Sequence, residues 1–177
     1  MPGKYANFWK ASHCSICYLG IYVALFSAQN IQSVMFEDDG LGKLGYYSNA
    51  FAYLGQIFGG IFSIIIAEKM GVRSSIFFGS ALCVPFIVAL LQPAYLSKDP
   101  DSTNVLLTTG FIYATIIIAS ILNGVGQGIS QSSAGSYISD CANEATKGFY
   151  FSYFWAFFMG SQVFGNLIAA YVLGLLD

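Results

Sequence analysis

Charge is scarce in this chain, and the scarcity decides what class of protein it is. Seven basic and nine acidic residues amount to 9% of 177 positions, against about 25% in an ordinary soluble domain. With 56% apolar and 17% aromatic residues, a globular surface could not be solvated, so the chain reads as an all-α integral membrane protein. The net charge of −2 says nothing about nucleic acid, but a basic run is lacking as well, so no nucleic-acid partner is expected. Histidine occurs once, at position 13, and no carboxylate lies deep in an apolar stretch. Neither a catalytic constellation nor the intramembrane acid or histidine of a proton-coupled transporter is visible, so the chain reads as no enzyme. There is no Asn-x-Ser/Thr sequon. Residues 1–12 lack the cleavage site of a secretory signal and the arginines of a mitochondrial presequence.

Four cysteines are present, and His13-Cys14-x-x-Cys17 invites a redox or metal reading. Covalent haem attachment needs its histidine after the second cysteine, whereas here it precedes the first. Zinc would need a second ligand pair, and Cys83 and Cys141 fall in or beside separate apolar segments. The four read as small apolar residues of membrane helices. No metal and no cofactor is expected, structural lipids aside.

What is abundant is apolar sequence in membrane-crossing lengths. About 20 such residues span a hydrocarbon core, and the pattern predicts one transmembrane domain over 1–177, with helices near 14–36, 45–67, 74–95, 104–139 and 148–176. Lys4, Tyr5, Phe8, Trp9 and Lys10 form a juxtamembrane anchor. In helix 1 the small residues Gly20, Ala24 and Ala28 predict a close-packing face. Its second half turns polar at Gln29, Asn30, Gln32 and Ser33. Helix 2 carries the small-residue ridge Gly55/Gly59/Ser63 with Gln56 beside it. Helix 3 should kink at Pro85. The fourth stretch is long for one crossing, so the helix either projects beyond the bilayer or is loosened by Gly124, Gly126 and Gly128. Asn123, Gln127 and Gln131 recur on one of its faces, and helix 5 places Gln162 and Asn166 one turn apart beside the ridge Ser161/Gly165/Ala169. Amides in lipid are costly unless satisfied, so these faces should look inward. They could line a solute path, but the favoured reading is hydrogen bonding between helices.

Lysine and arginine set the sidedness. With the N-terminus inside, Lys4, Lys10, Lys69, Arg73 and Lys147 share that side, and Lys43 and Lys98 are left outside.

The chain also resembles itself. At an ungapped offset of 106 residues, Gln56-Ile57-Phe58-Gly59 falls on Gln162-Val163-Phe164-Gly165, Asp38 on Glu144 and Gly42 on Gly148. Helix 1 then corresponds to helix 4 and helix 2 to helix 5. Such a nested three-helix repeat is the internal plan of a six-helix half of the major facilitator superfamily. The hinge Glu68-Lys69-x-Gly71-x-Arg73 is a degenerate form of that superfamily's signature between helices 2 and 3.

Two further motifs narrow the resemblance. They are Asn30-Ile31-Gln32-Ser33 with Glu37-Asp38-Asp39-Gly40-Leu41-Gly42, and Gly124-x-Gly126-x-Gly128 through Tyr137 with Ser161 to Ile168. The chain is thereby similar to the "uncoordinated", or Unc-93-like, ion-channel-regulatory family, over about Gly20 to Tyr171. Where that family carries a tryptophan-containing stretch, helix 4 here reads Ile129-Ser130-Gln131-Ser132-Ser133. The resemblance implies twelve helices in two halves, of which five helices of an N-terminal half are expected here. A lone half cannot rock against an opposing one. The expectation is therefore a non-catalytic accessory subunit of a larger membrane complex, its partners being lipids and other transmembrane subunits. The alternatives are a channel-regulating or trafficking chaperone of the family type and a half-transporter working as a dimer. The resemblance implies a plasma membrane or endomembrane, and a complex subunit could equally sit in the mitochondrial inner membrane. Helices 2 and 5 are expected to hold the partners through Gly55/Gly59 and Ser161/Gly165.

Overall fold

The computed structural model describes residues 7–38, 40–98 and 104–175. Readings that fall on Lys4, Tyr5, Asp39, the Asp99–Asp101 loop and the last two residues lie outside them. Among the described residues, five helices are long and apolar enough to cross a membrane. They are α1 (Phe8–Asp38), α2 (Leu44–Met70), α3 (Val72–Lys98, in three pieces), α4 (Thr109–Cys141) and α5 (Lys147–Leu173).

The connections follow from local chemistry. Gly40 and Gly42 hold φ of +73° and +56° in the first turn, and Gly71 alone, at φ +82°, joins α2 to α3; only glycine takes such angles without strain. Before α5, the Thr146 amide donates to Asn143 Oδ1 (3.0 Å) and the Asn143 amide to Thr146 Oγ1 (3.1 Å), a reciprocal pair that closes the turn leading into the helix. α3 breaks twice, after Ala81 and after Ala89, each a few residues before a proline. Pro85 was the expected kink. The second break precedes Pro93, whose ring likewise removes a donor and crowds the preceding turn. α4 begins at Thr109, because Val105–Leu107 form a separate 3-10 turn under Asn104. From there α4 continues for 33 residues without interruption, so its glycines do not loosen it.

Those glycines let backbones meet. Positions two apart on a helix point about 200° away from each other, so Gly124 and Gly128 face one way and Gly126 the other. Methyl groups built on Gly124 and Gly128 would strike the backbone of α2 at Ala52, Gln56 and Gly60, and one on Gly126 would strike Gly79 of α3. Reciprocally, a methyl on Gly55 would stand 2.5 Å from the Ile121 carbonyl, and one on Gly59 would collide with Val125. α4 is therefore clamped between α2 and α3. α1 pairs with α5 through rings instead: Tyr18 against Phe154 at 5.2 Å, Tyr22 against Phe158 at 4.9 Å, and Phe8 against Tyr153 at 5.2 Å between centroids.

This arrangement corrects two expectations. The ridges Gly55/Gly59 and Ser161/Gly165 do not face outward: the first meets α4, and a methyl on Gly165 would stand 2.9 Å from Phe26 Cβ of α1. The Gly20/Ala24/Ala28 face is the converse case. Gly20 and Ala24 are exposed, and a methyl on Gly20 would meet nothing within 4 Å.

Candidate functional site

Where the α1–α5 and α2–α4 pairs meet, they frame a partly open cavity of about 150 Å³ lined by Phe26, Gln29, Ala52, Tyr53, Gln56, Gln127, Gln131, Phe158 and Gln162. Five of these nine are glutamines, drawn from all four helices. Each amide carries two donor hydrogens and two acceptor lone pairs, so the lining is polar but uncharged.

Two of the glutamines form a chain across the seam. Gln56 Nε2 donates to Gln131 Oε1 (3.0 Å), and Gln131 Nε2 donates to the Tyr22 hydroxyl (3.2 Å). No hydrogen bond joins the side chains of Gln29, Gln127 or Gln162 to another described residue. Interhelical bonding, the favoured use of these amides, thus covers only some of them.

The other amides sit elsewhere. Asn30 Nδ2 donates to Asn166 Oδ1 on exposed surface. Gln32 donates to Asn49 Oδ1 (2.9 Å) and accepts from Ser48, which also meets Ser120 at 2.7 Å, so α1, α2 and α4 share one polar knot. Asn123 is fully buried, and neither atom of its amide finds a partner among the described residues. Its separation from Gln131 has a geometric cause. A step of four residues advances 40° around a helix, so an i, i+4, i+8 row drifts about 80° and leaves the cavity at one end. Gly55, Gly59 and Gly165 lie in helix contacts rather than on the cavity wall.

Sequence reasoning passed over the tyrosines. The Tyr18 hydroxyl donates to the Ser130 carbonyl (2.6 Å) and lies 2.5 Å from Ser130 Oγ, which is 3.2 Å from Ser80 Oγ. The available signal was two tyrosines one turn apart in an apolar helix, each with a hydroxyl that needs a partner when buried.

The arrangement can hold a small uncharged polar group by hydrogen bonds. It offers no carboxylate, histidine or ammonium to move a proton.

No protein-family model matches the chain, and no solved structure matches it. It is 30% identical over 162 residues to UNC93-like protein 3 of Arabidopsis thaliana, covering 90% of this chain and 32% of that protein. The chain thus spans about a third of the length of the curated relative it matches. The similarity supports Unc-93-like membership and, with the five apolar helices, an integral multi-pass membrane protein.

Proposed function

We propose that the chain is a non-catalytic accessory subunit of a membrane complex: an Unc-93-like half of a major-facilitator-type fold, whose polar face is covered by a partner's transmembrane helices. The observation that carries the reading is the exposed amide patch of Asn30, Gln162 and Asn166, set within apolar spans. An amide taken into hydrocarbon without a hydrogen bond costs about 4–8 kcal/mol. The Asn30–Asn166 bond satisfies one donor and one acceptor and leaves the remaining groups of both amides open. Helices bearing their own polar groups would close that account better than lipid tails.

The half-fold reading draws support from burial. Six of the seven buried positions of α2, Leu44, Ser48, Ala52, Gly55, Gly59 and Ser63, moved by 106 residues, fall on Tyr150, Phe154, Phe158, Ser161, Gly165 and Ala169, the buried positions of α5, while the seventh, Gly45, falls on half-buried Phe151. Swapping α1 with α4 and α2 with α5 also turns the α1–α5 pair into the α4–α2 pair, as a repeat of this kind requires.

A dimeric half-transporter is the second reading, and the glutamine-lined cavity favours it. The family's channel-regulating or trafficking role is the third, resting on the resemblance. Native mass measurement of the detergent-extracted protein separates them. The accessory reading expects a larger particle containing dissimilar subunits, from which Asn30→Leu with Asn166→Leu releases the chain. A particle of twice 19.1 kDa supports the dimer, and a lone chain overturns both.

A further inference from the structure

A second cleft lies far from the amide cavity, where α1 and α3 begin and α4 ends. It measures about 390 Å³ and is lined by Asn7, Lys10, Gly71 to Ser74, Tyr137, Asp140 and Cys141, a volume within the roughly 300–1,000 Å³ of small-ligand sites. Two cations from different helices share it. Lys10 Nζ donates to Asn7 Oδ1 (3.1 Å), and Asn7 in turn donates to the Cys141 carbonyl (3.3 Å), fixing the start of α1 to the end of α4. The Arg73 guanidinium lies over the Tyr137 ring, 5.8 Å from its centre. Neither cation is in ion-pair contact with a described carboxylate, Asp140 included; the ion pair among the described residues joins Lys147 to Glu144. One acid against two bases leaves the cleft net positive.

We propose that this cleft binds the phosphate of an anionic lipid headgroup. Its walls are helix ends, which places it at headgroup depth rather than in the hydrocarbon. Trp9, 82% exposed, stands one residue from Lys10, as an aromatic anchor at the interface does. The sidedness read from lysine and arginine puts this end inside, where anionic lipids concentrate and basic clefts between transmembrane helices take their headgroups. Arg73, set over the Tyr137 ring, brings a guanidinium whose fork of donors suits a phosphate.

The test uses the full chain in neutral detergent, titrated with phosphatidylglycerol, phosphatidylcholine or inorganic phosphate and read by native mass spectrometry. Phosphatidylglycerol should be retained several-fold more strongly than phosphatidylcholine. Lys10→Gln and Arg73→Gln should each weaken its retention about fivefold, the usual effect of one basic side chain near an anionic surface. Asp140→Asn should strengthen it, a gain that misfolding cannot imitate, and Lys98→Gln should leave it unchanged. Equal retention of the two lipids, or indifference to both Lys10 and Arg73, overturns the proposal. Displacement of phosphatidylglycerol by millimolar inorganic phosphate overturns the lipid assignment in favour of a soluble phosphate.

Discussion

The two helix pairs of this protein solve one problem by opposite means. Between helices in lipid there is little hydrophobic drive, so van der Waals contact and hydrogen bonds must supply the association. The α2–α4 pair removes side chains from the contact and brings backbones together at Gly55, Gly59, Gly124 and Gly128. The α1–α5 pair fills the contact with rings, Tyr18 and Tyr22 stacking at 5.5 Å and meeting Phe154 and Phe158 edge-on. A backbone contact is unforgiving, because nothing at it can rotate away. A ring contact can repack, so losses there should be graded.

The comparison predicts its largest effect at Gly124. A methyl there would overlap the Ala52 carbonyl and stand 2.9 Å from the Gln56 nitrogen. Overpacking costs about 1–3 kcal/mol where side chains can yield, and here backbone would have to move, so Gly124→Val should exceed that range and prevent stable folding. Fluorescence-detected size exclusion of the detergent extract reads this directly; a native monodisperse peak would sink the backbone contact. Next comes Phe158→Ala. In a water-soluble core such a truncation costs about 3–5 kcal/mol. In lipid the transfer part is small, and the lost edge-on contacts, about 0.5–1.5 kcal/mol per pair, remain. A loss of about 2 kcal/mol is expected in reversible unfolding from mixed micelles, with Phe158→Leu between it and the native chain. Identical stability of Phe158→Ala and the native protein would mean that the rings do not hold the pair.

This contrast was half legible in the sequence. Apolar length sets the number of spans, and i, i+4 spacing sets which side chains share a face; both are local properties. Which neighbour a face meets is a property of the whole bundle, and there reasoning from pattern misjudged the ridges. Gly55/Gly59 and Ser161/Gly165 carry the small residues expected of a docking face, yet the chain uses them itself, on α4 and α1. Gly20/Ala24/Ala28 carries the same signature, yet Gly20 and Ala24 stand exposed and only Ala28 is half-buried, beside Leu90 and Pro93 of α3. Periodicity cannot tell the two cases apart, since both are smooth stripes of the same spacing. The cavity was legible as amides without an address. Gln56, Gln127, Gln131 and Gln162 reach one cavity because four helices converge there, while the buried amide of Asn123, eight residues from Gln131, stays outside it.

A smaller effect separates used from unused small residues. Gly165→Ala would set a methyl 2.9 Å from Phe26 Cβ and 3.2 Å from the Ser27 nitrogen, and about 1 kcal/mol of destabilisation is expected as the α1 backbone gives by a few tenths of an ångström. Gly20→Ala meets open space and gains helix propensity of about 0.8–1 kcal/mol. Thermal unfolding in one detergent should therefore move in opposite directions for the two. Movement in the same direction would mean that α1 turns a different face to α5.

The smallest effect lies on the seam where the two pairs meet. Gln131 receives from Gln56 of one pair and donates to Tyr22 of the other. Removing it breaks both bonds together, yet each is worth little: interhelical hydrogen bonds in membranes average about 0.6 kcal/mol, with a maximum near 1.7. Gln131→Leu alone would confound that loss with the change in side-chain packing. A double-mutant cycle with Tyr22→Phe isolates the bond, because Tyr22→Phe deletes the hydroxyl and keeps the ring that packs on Phe158. The coupling should be about 0.6 kcal/mol and favourable. The same cycle built with Tyr18→Phe should give no coupling to Gln131, since the Tyr18 hydroxyl is bonded to Ser130. Equal coupling in both cycles would mean that the hydroxyls act through a shared movement of α1, and the glutamine chain would then be a consequence of the seam and not one of its fastenings.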